Sequence, residues 1–136
     1  MSYILDTNVV SELIKYKPNQ NVIERLMGID HTNLYISCIT IGELKCGILK
    51  LRKTNEDKAK SLENWLNELI QNYQKRIIDV TTKTCVIWAD LMNITKHNPV
   101  DALIASLAIE KCYTLVTRNT KDFEMFNCKL INPFLR

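Results

Sequence analysis

The sequence predicts an α/β fold, a three-layer α/β/α sandwich around a central, mainly parallel sheet of four to five strands. Three observations predict it. Short apolar runs alternate with longer stretches of helical periodicity along all 136 residues, the pattern of strand–helix–strand crossovers. The strand candidates are unbroken apolar runs, as expected of strands covered on both faces. Apolar residues make up 46% of the chain, enough for one compact core, so residues 1–136 read as a single domain.

Tyr3-Ile4-Leu5 is the first strand, and it runs into Asp6. An acid at the carboxyl end of a strand stands where open α/β sheets place their ligands. Taken alone, Asp6 reads better as the cap of the next helix; the rest of the chain reverses that preference. The helix over residues 8–15 ends near Lys17-Pro18, because the residue before proline avoids helical geometry. A second helix covers 21–27 and stops at Gly28.

Strand two, residues 34–38, passes through Ile39-Thr40 into a helix carrying Glu43, Leu44, Ile48 and Leu51. Residues 54–73 form the clearest helix. There Leu62, Trp65, Leu66, Leu69, Ile70 and Tyr73 recur at steps of three and four, one stripe for the core, with a dimer or partner groove as the second reading. Strand three spans 76–80, and a helix over 81–93 turns Val86, Trp88 or Ala89, and Met92 inward. Asn98-Pro99 opens the next helix with a capping residue followed by proline. Only Asp101 and Ser106 are polar between residues 100 and 109, so that helix is buried nearly all round. Strand four is 113–117, a short helix is 119–126, and Leu130-Ile131 is a last strand.

Composition removes several classes of function. The longest unbroken apolar run, Cys85 to Ala89, is far too short for a membrane span. No basic-then-apolar signal segment opens the sequence, so a soluble cytoplasmic protein is expected. Five cysteines without a C-x-x-C pair point to reduced, buried thiols, not to zinc or a disulfide framework. Three glycines supply no dinucleotide or P-loop fingerprint, and no G-x-S-x-G elbow is present. Net charge is +3; with four of the fifteen acids set aside, eleven remain against eighteen Lys and Arg. A basic exterior around an acidic hole suits a polyanionic substrate.

The four acids are Asp6, Glu43, Asp101 and Asp122, each within about one turn of a predicted helix start. Glu43 completes a capping-box pattern with Thr40, and any one of the four reads equally as a satisfier of helix amides. As a group they say more. Helices that follow parallel strands begin at the carboxyl edge of the sheet, which gathers at least three of these acids on one rim. Carboxylates ~5 Å apart repel by roughly 3 kcal/mol per pair at an effective dielectric near 20, whereas a capping bond returns about 1 kcal/mol. A hard divalent cation resolves that conflict. Oxygen ligands without His or Cys indicate Mg²⁺ or Mn²⁺.

Four ordered stretches then carry a resemblance. They are residues 3–13, opening Tyr3-Ile4-Leu5-Asp6-Thr7-Asn8, residues 39–48 around Gly42-Glu43, Asp101-Ala102-Leu103-Ile104-Ala105, and residues 115–123 with Thr117-Arg118-Asn119 and Asp122-Phe123. With the closing Asn132-Pro133-Phe134, the chain resembles a PIN-domain ribonuclease, in particular a VapC-type toxin of the FitB-like branch. The resemblance implies that Asp6, Glu43, Asp101 and Asp122 form an acidic Mg²⁺ pocket, with Asn8, Thr117 and Asn119 nearby in supporting roles. It implies an RNA substrate, a VapB-type antitoxin that blocks the pocket, a homodimer, and operator DNA reached only through the antitoxin. For Asn119 a purely local capping role stays open.

One departure is visible. The approach to Asp101 is shortened to Lys96-His97-Asn98-Pro99, which leaves a rival reading: a catalytically weak subunit serving mainly as the antitoxin's partner in transcriptional control. His97 is given no role. A phosphoacceptor signalling domain also uses an acidic rim, but it expects an acceptor Asp ending strand three and a Lys after the last core strand. Asp79 runs on into Val80, and Lys129 precedes Leu130. Lys45, Lys50, Arg52, Lys53, Arg118 and Lys121 are candidates for gripping phosphates.

Overall fold

The computed structural model describes residues 1–96 and 98–136, so His97 and its part in the shortened approach lie outside the described residues. Five strands, β1 (Tyr3–Leu5), β2 (Leu34–Ser37), β3 (Ile77–Ile78), β4 (Thr114–Val116) and β5 (Leu130–Ile131), form one sheet in the order β3-β2-β1-β4-β5. Every pairing is parallel, with Ile4 opposite Tyr35 on one side and Leu115 on the other. The chain winds outward from β1 through β2 to β3, then returns to the other side for β4 and β5. The switch in direction falls between β1 and β4, the place where such sheets form a crevice at the strand ends.

Successive strand residues point to opposite faces, and here each face has its own core. Ile4, Ile78 and Leu115 pack with α6 (Pro99–Lys111), Leu91 of α5 (Thr82–Ile94), Phe123 of α7 (Thr120–Phe123) and Phe126. Leu5, Leu34, Ile36 and Val116 face the other way, against Val9 and Val10 of α1 (Thr7–Leu13) and Val22 and Leu26 of α2 (Gln20–Met27). The helices α3 (Cys38–Arg52) and α4 (Glu56–Tyr73) close that second face with a small core of their own, Ile48, Ala59 and Leu66. This is the three-layer sandwich the sequence predicts. Among the described residues, no helix is long and apolar enough to cross a membrane.

Several local expectations are corrected. In α4 the predicted stripe packs inward at Leu62, Trp65, Leu66, Leu69 and Tyr73, and of its six residues Ile70 alone is exposed, at the edge. In α5 Trp88 and Met92 pack on the core as predicted, but Val86 is 61% exposed; Thr84 and Leu91 are buried, and Ile87 packs inward where Val86 does not. A polar residue decides the phase. Thr81 and Thr84 form a reciprocal capping box, and Thr84 Oγ1 donates to Glu110 Oε1 at 2.5 Å, which turns Thr84 inward. Thr81→Ala removes the cap and should cost about 1 kcal/mol in urea unfolding. The cysteines are not buried thiols either; Cys46, Cys85 and Cys112 are exposed and Cys38 and Cys128 only partly covered. Asn98 precedes α6 in the left-handed region at φ 55°, and its side chain makes no capping bond.

The Thr84–Glu110 bond joins the start of α5 to the end of α6, and Trp88 Nε1 donates to the Pro99 carbonyl at the other end. The two helices are therefore antiparallel. Since α6 ends directly before β4, its first turn, with Asp101, is returned to the carboxyl rim of the sheet.

Candidate active site

Asp6 occupies the crevice between β1 and β4. Its N–H donates to the Val116 carbonyl at 2.9 Å, which locks it to the neighbouring strand. It is 6% exposed. Oδ1 accepts from the Thr7 N–H at 2.8 Å, so Asp6 does cap α1. Oδ2 accepts from the Thr117 hydroxyl at 2.8 Å and from Asn8 Nδ2 at 3.3 Å. Burial raises the Asp6 carboxyl above the usual carboxylate range; the bonds from Thr117 and Thr7 oppose that, and the charge of Glu43 adds to it. Cap and pocket are not alternatives here. One oxygen edge is used by the helix, and the residue still stands in the crevice.

Thr117 follows β4 and is wholly buried. Its N–H donates to the Ile131 carbonyl at 2.9 Å, so β5 sets its position. Its single hydroxyl proton goes to Asp6; the oxygen in turn accepts from Asn8 Nδ2 at 3.2 Å and from the Asn119 N–H at 3.1 Å. Asn119 makes no side-chain capping bond, which corrects the local reading of that residue.

Glu43 also departs from its sequence reading. The cap of α3 is Ser37, whose Oγ accepts from the Thr40 N–H at 3.1 Å, so the helix starts three residues earlier than a box at Thr40 requires. Glu43 therefore lies in the second turn, away from the free amides. Its Oε1 accepts from the Thr7 hydroxyl at 2.5 Å. With that proton engaged, the 3.0 Å contact between Thr7 and Thr40 must be a bond donated by Thr40. Thr7 and Thr40 are the site neighbours that sequence reasoning missed. They stand 33 residues apart, and nothing in the sequence pairs them.

Asp101 lies in the first turn of α6 and is half-buried; Asp122 lies in α7 and is exposed. The Asp101 carboxyl is pushed up to about 6, first by burial and then by the charges of Asp6, Asp122 and Glu43. The four acids thus share one field at one rim. Among the described residues none of the four is paired with Lys, Arg or His; the ion pairs there involve Glu12, Asp30, Glu56 and Glu63. No group of three or more His, Cys, Asp or Glu among the described residues stands close enough to hold an ion as arranged. The rim gathers charge without a closed ligand shell. Its donor set, carboxylate oxygens with hydroxyls and an amide behind them, has the chemistry that a hard divalent cation takes.

Glu12 is a second buried acid, 5% exposed. It accepts from Lys15 Nζ and from the Asn19 N–H, each at 2.8 Å, and these bonds hold its carboxyl below the usual range. It joins α1 to the start of α2 and does not enter the shared field.

The model of the PIN domain matches residues 3–126 of this chain. The chain belongs to the PIN-domain family. PIN relatives cover it almost end to end. Ribonuclease VapC2 of Rickettsia felis is 32% identical over 131 residues, 91% of each chain. Toxin FitB of Neisseria gonorrhoeae is 28% identical over 137 residues, 96% of this chain and 97% of FitB. The crystal structure of FitAcB from Neisseria gonorrhoeae superposes with a TM-score of 0.91 at 28% identity, covering 98% of this chain and 99% of that one. The likeness to PIN toxins of the VapC and FitB kind noted on the sequence motifs holds for the whole architecture. Residues 127–136, beyond the PIN match, carry β5 and the closing Asn132-Pro133-Phe134.

Proposed function

We propose that the chain is a Mg²⁺-dependent endoribonuclease, the toxin of a toxin–antitoxin pair that acts in the cytoplasm. One observation carries this reading: Asp101 is raised to about 6 by its burial and by three other acids, none of them paired with a cation among the described residues. Folding has concentrated negative charge without neutralising it, a cost that binding a cation offsets. The relative named as a ribonuclease and the relative named as a toxin support the same reading.

Asp6 and Asp101 would hold the ion, with Glu43 or Asp122 orienting the attacking water or holding a second ion. When bound, Mg²⁺ (or Mn²⁺) supplies charge neutralisation at a phosphodiester oxygen and lowers the pKa of water. The chain's own residues do the remaining work. Thr117 and Asn8 fix the rotamer of Asp6. Thr7 fixes the rotamer of Glu43. Attack in line leaves a 5′-phosphate and a 3′-hydroxyl.

The partner is a VapB-type antitoxin. A hollow of about 280 Å³ opens beside Thr7 and Glu43 between α1, α3 and α4, and its walls include Leu44, Ile48, Leu62 and Trp65. An antitoxin seated there would block the rim. Homodimer formation, and contact with operator DNA through the antitoxin, belong to the same proposal.

The test is total cellular RNA incubated with the purified protein in Mg²⁺, Mn²⁺ or EDTA. Cleavage with either ion and none in EDTA is expected, with 5′-phosphate ends. Cleavage that survives EDTA would remove the metal from the proposal, and no cleavage under any condition would remove the nuclease.

A further inference from the structure

The six basic residues that stand near the motifs are not equivalent. Lys45 and Arg52 are both engaged by Glu63, and Arg52 also by Glu56. Among the described residues, Lys50, Lys53 and Lys121 stack on no aromatic ring. Arg118 differs from all of these. It follows Thr117 directly and is exposed, yet its guanidinium carbon sits 3.9 Å from the centroid of the Phe134 ring. Its guanidinium N–H groups donate to no described residue. A stacked guanidinium has lost its conformational freedom already, and its donors remain open for a bidentate acceptor.

The platform is itself built. Asn132 Nδ2 donates to the Arg118 carbonyl at 3.1 Å, while Asn132 Oδ1 accepts from the Phe134 N–H at 2.9 Å. Asn21 Nδ2 donates to the Phe134 carbonyl at 3.0 Å, and Pro133 is buried between them. The Arg118 N–H donates to Asn8 Oδ1 at 3.1 Å, which turns the Asn8 amide toward Asp6. So the residue is tied at its backbone to the acid rim and at its side chain to the C-terminal segment.

We propose that Arg118 grips a backbone phosphate of the RNA beside the acid rim, and that Asn132, Pro133 and Phe134 form the clip that presents it. The proposal rests on the nuclease reading. A polyanion approaching four carboxylates needs a fixed positive charge near them, and of the six basic residues Arg118 is the one stacked on a ring and not committed to a carboxylate partner among the described residues. It also gives a task to a segment that lies outside the PIN match at residues 3–126.

The experiment is fluorescence anisotropy with a labelled single-stranded RNA oligonucleotide across a salt series, in an Asp101→Asn background that leaves the RNA intact. Arg118→Ala should weaken binding about tenfold and reduce the salt slope by ~0.7. Arg118→Lys keeps the charge and should restore the slope but not the full affinity. Phe134→Leu keeps an apolar anchor without the ring and should weaken binding about threefold at an unchanged slope. Parental affinity and slope in Arg118→Ala would overturn the inference and leave the nuclease reading standing. A parent protein that binds no RNA would overturn both.

Discussion

Asp101→Asn should lower the rate of RNA cleavage by more than about a hundredfold, since losing even a partner behind a metal ligand costs about 10–100-fold, and should at the same time stabilise the protein at pH 7.5. Both effects have one origin. The Asp101 carboxyl is raised to about 6 by burial and by Asp6, Asp122 and Glu43, so its charge at neutral pH is an expense of folding. An amide of the same shape removes that charge. Asp6→Asn is a poorer control, although it too should abolish cleavage. Oδ2 of Asp6 accepts from Thr117 and Asn8, and Oδ1 accepts from Thr7. Whichever way an asparagine amide turns, its NH₂ meets a donor, a mismatch worth about 1–3 kcal/mol. Urea unfolding and a single-turnover cleavage assay on the two variants separate the effects. Undiminished cleavage in Asp101→Asn would leave the proposed pocket without a function.

A second large effect is expected in the linkage between pH, Mg²⁺ and stability. For a carboxyl raised in the native state, the native protein binds more protons than the unfolded chain between the ordinary value of 3.8 and about 6. Stability therefore rises as pH falls from 7.5 through 6 toward 5. Asp6, also raised, acts in the same direction. Glu12, Asp30 and Glu63 are lowered, and they withdraw stability only below the ordinary carboxylate range. In the window from pH 7.5 to 5 the raised acids decide the sign. The metal-free protein should thus melt several degrees higher at pH 5 than at 7.5. Millimolar Mg²⁺ should raise the melting temperature at pH 7.5 and hardly at pH 5, where protons compete for the same oxygens. Asp101→Asn should flatten both responses. A melting temperature indifferent to Mg²⁺ at pH 7.5 would sink the metal proposal without any reference to RNA.

Where the sequence reading failed, the reasons are local and physical. In α5 the apolar residues alone favour Val86 facing inward, but the hydroxyl of Thr84 has partners on Thr81 and Glu110 and takes the inward position. At α3 two hydroxyl caps compete within four residues, and Ser37 wins over Thr40, which frees Glu43 from the helix amides. Thr7 joins Glu43 across 36 residues of sequence, a bond that periodicity has no means to express.

What the sequence by itself determined was the class of fold and the order of strands and helices, because unbroken apolar runs and helical spacing are written in neighbouring residues. Tertiary structure alone decided that β4 lies beside β1, that α6 runs back so its first turn reaches the rim, and that Arg118 rests on Phe134. Those relations come from strand pairing and side-chain burial between segments a hundred residues apart or brought round by a chain reversal. The field that raises Asp101 exists only once they are made.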